Sequence, residues 1–195
     1  PNLADLNADA HRELFNKRLP TVPEGGWESS TVGNHDRTRS MSLYADSTHD
    51  RARNRLALAM TMFLRGTPAF YNGEEIGMSD LLMPDIETFR DNLGVFVYHA
   101  LIKHGLSETE ALSYANIIGR DKCRTPMQWS NAANGGFSPE GVRTWLPVNP
   151  NFADGINVAA QENDESAPLH DFRKLTEVRQ SDIVLRRGDY AQIEN

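Results

Sequence analysis

Trp27-Glu28-Ser29-Ser30-Thr31-Val32-Gly33-Asn34-His35-Asp36-Arg37-Thr38-Arg39 opens the stretch that decides the fold, and Ala69-Phe70-Tyr71-Asn72-Gly73-Glu74-Glu75 closes it. Residues 27–33 are few, rich in β-branched or small side chains, and break at Gly33-Asn34, which predicts a buried strand ending at Asn34. Ala52, Leu56, Ala59, Met60, Phe63 and Leu64 then recur at helical spacing, with Arg51, Arg53, Asn54 and Arg55 between them. Ser47 or Thr48 is placed to cap that helix, and Gly66 followed by Pro68 ends it. Ala69-Phe70-Tyr71 reads as a second short strand before the turn pair Asn72-Gly73. Strand, helix, strand in this order is the pattern of parallel α/β architecture.

Outward from this unit, residues 73–166 loosen into short helical pieces over 92–104 and 108–118, separated by loops rich in Asn, Gly and Pro. A connection of that length usually carries function. The helical pattern returns where Leu169, Phe172, Leu175 and Val178 form an apolar face. After Arg187-Gly188 the character changes, and residues 189–194 read as the opening of a new strand. Two strands cannot make a parallel sheet covered on both faces, so the chain reads as the tail of a larger α/β protein whose remaining strands lie upstream.

Composition narrows the function classes. Of 195 residues, 39% are hydrophobic and 24% charged, the balance of a globular protein without a membrane-spanning run. A formal net charge of -7 with no basic stripe excludes nucleic acid as the expected partner. No two of the six histidines share an H-x-x-x-H spacing, so neither a transition metal nor another cofactor is expected. Pro1-Asn2-Leu3-Ala4-Asp5 has no basic and apolar leader, which implies a signal peptide absent or lost upstream. The single cysteine, Cys123, makes no internal disulfide, and a reducing cytoplasm is the expected location.

In parallel α/β folds the working residues gather just after the strands, which selects 34–39 and 72–75. An isolated Asp there is about as often a turn or helix cap, but Asn34-His35-Asp36 with Arg39 combines acceptor, donor and cation in one loop. Taken without any family, Asp36 and Glu74 would be two carboxylates about one strand spacing, ~5 Å, apart, as retaining glycoside hydrolysis needs.

Three strings alter that assignment. Gly33-Asn34-His35-Asp36 with Arg39, Gly66-Thr67-Pro68 running through Tyr71-Asn72-Gly73-Glu74-Glu75-Ile76-Gly77-Met78, and Gly119-Arg120-Asp121-Lys122-Cys123-Arg124-Thr125-Pro126-Met127-Gln128-Trp129 follow in this order. They resemble the oligo-1,6-glucosidase and α-glucosidase branch of the α-amylase family of glycoside hydrolases, as do Trp145-Leu146-Pro147-Val148-Asn149-Pro150-Asn151 and Asn157-Val158. The resemblance implies a (β/α)8 TIM barrel, with residues 1–187 supplying its last two strands and helices, a long loop over about 73–165 after the eighth strand, and 188–195 starting a β-rich C-terminal domain. It further implies that the nucleophile and acid/base come from the fourth and fifth strands, upstream. Asp36 is then the third carboxylate, stabilising the transition state, and Glu74 holds loops through backbone amides. His35, Asn34, Arg39, Arg120 and Arg124 are the implied substrate-binding residues.

This sequence departs from the branch at Arg37-Thr38, where relatives usually carry Gln-Pro, and at Asn72, where they carry Gln. The extra cation bears on the +1 subsite and on linkage preference. Trp129, Trp145 and Phe137 are expected to pack rather than stack on sugars, and His11, His49, His99, His104 and His170 to lie at the surface or at caps. Lys122 and Arg124 beside Cys123 favour a lowered thiol pKa, in a residue expected to be a bystander. The function expected is a retaining glycosidase acting on terminal α-linked glucose of oligosaccharides, inactive without the upstream barrel. The alternatives are a trehalose synthase or other α-glucosyl-transferring relative, and a non-catalytic barrel subunit of an amino-acid transporter.

Overall fold

The computed structural model describes residues 7–44, 48, 50–191 and 193. Helix α1 (Ala8–Arg18) starts at Asn7, whose Oδ1 accepts from the Ala10 amide at 3.0 Å. Strand β1 (Ser29–Ser30) follows, then α2 (Ser40–Leu43), α3 (Asp50–Phe63) and strand β2 (Thr67–Pro68). The two strands pair in parallel, Ser29 opposite Thr67 and Ser30 opposite Pro68. The expected strand, helix, strand order is therefore present.

The strands are shorter than expected, and the second begins at Thr67 rather than Ala69. Thr67 N donates to Glu28 O and Ala69 N to Ser30 O, both at 2.8 Å. Proline has no amide proton, so Pro68 fits between two donors with its nitrogen turned away from β1. At Gly66, φ is +136° and a Cβ would stand 3.0 Å from Ser30 Oγ, so only glycine brings the chain this close.

The buried face of α3 also differs from the expected one: Asn54, Ala57, Leu58, Thr61 and Met62 are inside while Leu56 is exposed. Two features set this rotation. Ser40 Oγ donates to Asn54 Oδ1 at 2.8 Å from α2, and α7 (Pro168–Ser181) packs against the other side. On α7, Leu169 is buried and Val178 exposed. Its Arg179 donates to the Met62 and Gly66 carbonyls, which closes the C-terminal end of α3.

Between β2 and α7 lie α4 (Asn92–Lys103) and α5 (Glu108–Ile118), packed as a hairpin, and the short α6 (Val158–Glu162). Ser107 and Glu110 form a capping box at the start of α5. Both hydrophobic clusters draw on this stretch. One joins Ile76, Met78 and Met127 to Leu169, and the other holds Met83, Phe89, Ala115 and Leu146. The last helix, α8 (Ile183–Arg187), ends with Gly188 N donating to Val184 O at 2.7 Å.

Asp189, Tyr190, Ala191 and Ile193 carry no strand, while Gln192 and Glu194 lie outside the described residues, as do Ser47 and His49. Among the described residues no helix is long and apolar enough to cross a membrane.

Candidate active site

The loop after β1 folds back through Asn34. Its Oδ1 accepts from the Asp36 amide at 2.8 Å and its carbonyl from Arg37 N at 3.3 Å. This Asx turn is what Asn favours before a carboxylate, and it lifts Asp36 to the surface with its side chain 47% exposed. His35 stands beside it, Nε2 at 3.4 Å from Asp36 Oδ2.

Two guanidinium groups reach the same carboxylate from residues more than eighty positions away. Arg124 Nη2 donates to Asp36 Oδ1 at 2.7 Å and Arg120 Nη1 to the same oxygen at 3.1 Å. Arg124 also spans the turn through Nε to His35 O at 2.6 Å, and its own carbonyl accepts from Trp145 Nε1 at 3.0 Å. Partial desolvation pushes the Asp36 carboxyl up, but the Arg124 hydrogen bond, the His35 charge and Arg120 outweigh it, so the pKa lies below the ordinary 3.8. Asp36 is therefore ionised, with Oδ1 occupied and Oδ2 turned toward His35.

Asn34, His35, Asp36, Arg120 and Arg124 thus gather at one place, and Arg39 does not. It is 1% exposed, donates through Nη1 to Asn72 O at 2.7 Å, and lies 5.0 Å from the Tyr71 ring centre. Burial lowers its pKa, and its Nε and Nη2 have no hydrogen-bond partner among the described residues. Glu74, also 1% exposed, does not face Asp36 as one of a pair. Its Oε2 accepts from Tyr71 N at 2.9 Å, so it holds loop backbone, and Glu75 does the same for Gly73 N at 2.8 Å.

The expectation of a lowered Cys123 thiol pKa is corrected: burial pushes it up. Burial acts here because the side chain is fully enclosed between the His35 and Arg120 carbonyls. Trp129 and Trp145 are about half exposed, at 49% and 51%, rather than packed away, and Phe137 meets Trp145 edge-on with centroids 5.0 Å apart. His99 and His104 are exposed as expected. His11 instead buries an Nε2 that has no hydrogen-bond partner among the described residues, and His170 Nε2 lies 3.2 Å from Glu162 O.

Sequence reasoning missed the carboxylate behind Arg120. Asp91, its side chain 2% exposed, accepts from Arg120 Nη2 at 2.8 Å and Nε at 2.9 Å. The Arg120 hydrogen bonds hold Asp91 well below the usual carboxylate range and, in turn, raise the Arg120 pKa. The one signal in the sequence was an Asp ahead of a helical stretch, which reads as a cap; Asp91 is indeed the N-cap of α4.

An ionised carboxylate in the loop after a parallel strand is thus met by two cations arriving from a later loop. The Alpha amylase, catalytic domain model matches residues 1–188, and the chain belongs to this family. It is 35% identical over 97% of its length to an oligo-1,6-glucosidase from Parageobacillus thermoglucosidasius, covering 33% of that protein. It is 34% identical over 95% to a glucan 1,6-alpha-glucosidase from Streptococcus dysgalactiae subsp. equisimilis, covering 35%. Among solved structures, the trehalulose synthase of Pseudomonas mesoacidophila superposes with a TM-score of 0.81 at 30% identity, over 94% of this chain and 33% of that one. The chain thus spans about a third of the length of the relatives it matches.

Proposed function

We propose that this chain is the C-terminal part of the (β/α)8 catalytic barrel of a retaining glycoside hydrolase acting on terminal α-linked glucose, α-1,4 and/or α-1,6. In this reading residues 1–187 supply the last two strands and helices, residues 73–165 form the loop after the eighth strand, and residues 188–195 begin a C-terminal β domain. The parallel pairing of β1 with β2 and a family match ending at residue 188 support that division. The nucleophile and acid/base belong to the upstream barrel, so the chain by itself is inactive. The cytoplasm is the proposed location, consistent with a buried free cysteine.

The observation that carries the reading is the convergence of Arg120 and Arg124 on Asp36 Oδ1. An ionised carboxylate so held offers Oδ2 to sugar hydroxyls, and its grip tightens as the ring gains positive charge in the oxocarbenium-like transition state. His35 and Asn34 border the sugar, and Arg124 closes one side. Arg39 acts from beneath, through the Asn72 carbonyl and Tyr71 ring that it holds. The cation Arg37 lies at the +1 side and bears on linkage.

The test is glucose release from maltose, isomaltose and p-nitrophenyl α-glucoside by the full-length gene product, beside the same protein carrying Asp36→Asn. A loss of at least about a hundredfold is expected, the scale for removing a group that stabilises transition-state charge, with the fold unchanged by circular dichroism. Wild-type turnover in the variant would sink the role given to Asp36. A second reading, α-glucosyl transfer to another sugar, is supported by the similarity to a trehalulose synthase. Isomerised disaccharide in place of free glucose would select it.

A further inference from the structure

We propose that Asp91 is a positioning residue for Asp36: it clamps one edge of the Arg120 guanidinium at two nitrogens so that the third is aimed at Asp36 Oδ1, leaving Oδ2 for the substrate. The inference rests on the role proposed above for Asp36 and adds a residue that the sugar never touches.

Arg120 makes three side-chain hydrogen bonds, two of them to Asp91. Nη2 reaches Asp91 Oδ1 at 2.8 Å, Nε reaches Oδ2 at 2.9 Å, and Nη1 reaches Asp36 Oδ1 at 3.1 Å. The Arg120 backbone amide donates to Asp91 Oδ2 as well, at 3.0 Å. A guanidinium is planar, so fixing one edge at two of its nitrogens fixes the direction of the third. An arginine held at one point only keeps most of its rotamer freedom and could meet either Asp36 oxygen.

Asp91 is itself fixed from below. Its backbone amide donates to Asp121 Oδ2 at 2.8 Å, and the Arg90 amide donates to the same oxygen at 2.6 Å. Asp121 is buried and lies next to Arg120 in the chain. The N-terminus of α4, the segment 120–121 and the loop after β1 are therefore one hydrogen-bonded unit with Asp36 at its exposed end.

The bland alternative is that Asp91 only caps α4, where its Oδ1 accepts from Leu93 N at 3.3 Å. Asp91→Asn separates the two roles. Asparagine is as good an N-cap as aspartate, so a cap survives the change. Its amide nitrogen, though, would meet an Arg120 N–H donor against donor, and the two-point clamp is lost.

The experiment measures kcat and KM for p-nitrophenyl α-glucoside in the full-length protein, its Asp91→Asn and Arg120→Ala variants, and the double variant, each checked for folding by thermal melting. Asp91→Asn is expected to lower kcat about tenfold, the scale of a small misplacement of a reacting group, with KM changed less than about twofold because the ground-state grip is weaker than the transition-state one. In the Arg120→Ala background the same substitution should cost nothing further in kcat, since Asp91 acts only through Arg120. Wild-type kcat in Asp91→Asn, or an equal loss in both backgrounds, overturns the inference. Should Asp91→Asn fail to fold, Asp91→Glu keeps the charge and pushes the clamp outward by a methylene; wild-type kcat in that variant likewise overturns it. Loss of activity at Asp36→Asn with none at Asp91→Asn removes only the role of Asp91, whereas loss at neither removes the reading of Asp36 itself.

Discussion

Residues 25–72 rely on regular elements, with two strands of two residues each and one long helix between them. Residues 73–165 have little regular structure outside α4 and α5, yet they hold most of both hydrophobic clusters and most of the buried amide side chains. Backbone polar groups must find partners wherever they are buried. The first region satisfies them with a ladder and helix bonds, the second with side chains. Asn116 exchanges two hydrogen bonds with the Met83 backbone, at 2.7 and 2.9 Å, and Gln161 joins Ile76 O at 2.9 Å to Leu169 N at 3.1 Å. A loop tied in this way holds its backbone firmly enough to aim Arg120 and Arg124 across more than eighty residues of chain at Asp36.

If side-chain clasps are what stabilise residues 73–165, the largest loss of stability should follow Asn116→Ala. The change leaves both the N–H and the C=O of buried Met83 without partners, at a cost of about 3 kcal/mol in denaturant unfolding of the full-length protein. Gly33→Ala probes the other region. A Cβ there would stand 2.3 Å from Glu74 Oε1, and Glu74 is tied to Tyr71 N, so overpacking should cost about 2 kcal/mol. A smaller loss at Asn116 than at Gly33 would mean that side-chain clasps are not what stabilises residues 73–165.

The smallest effect concerns pH. Burial pushes the Glu74 carboxyl from 4.5 up to about 7, against the opposing Tyr71 amide and the Arg39 charge. Arg39, Glu75 and Tyr44 are the ionisable groups that interact with it. The native state thus keeps a proton that the unfolded chain releases, and stability should fall as pH rises from about 4.5 to about 7, then level off. Glu74→Gln should flatten that decline in melting temperature; an unchanged slope would place the titration elsewhere.

The same contrast explains what was legible in the sequence. Both α4 and α5 could be bounded to within a residue because their ends carry local signals, Gly105 after the first and the Ser107 and Glu110 capping box at the second. The start of β2 was misplaced by two residues, since proline reads as a strand breaker and only the paired geometry shows that Pro68 turns its nitrogen away. Asp36 stands out by its place after a strand, but its role as a third carboxylate, and Arg120 and Arg124 with it, come from a family resemblance, since no periodicity links them. Asp91 looked like any helix cap, for its partner lies 29 positions on, and the burial of Arg39 ran against the rule that unpaired charges stay outside.

A crystal structure of the full-length protein with glucose bound tests the role of Asp36 most directly. A sugar hydroxyl is expected within hydrogen-bond distance of Asp36 Oδ2, with Arg120 and Arg124 still on Oδ1. Glucose bound away from Asp36, or Arg120 turned out of contact with both Asp36 and Asp91, would contradict it.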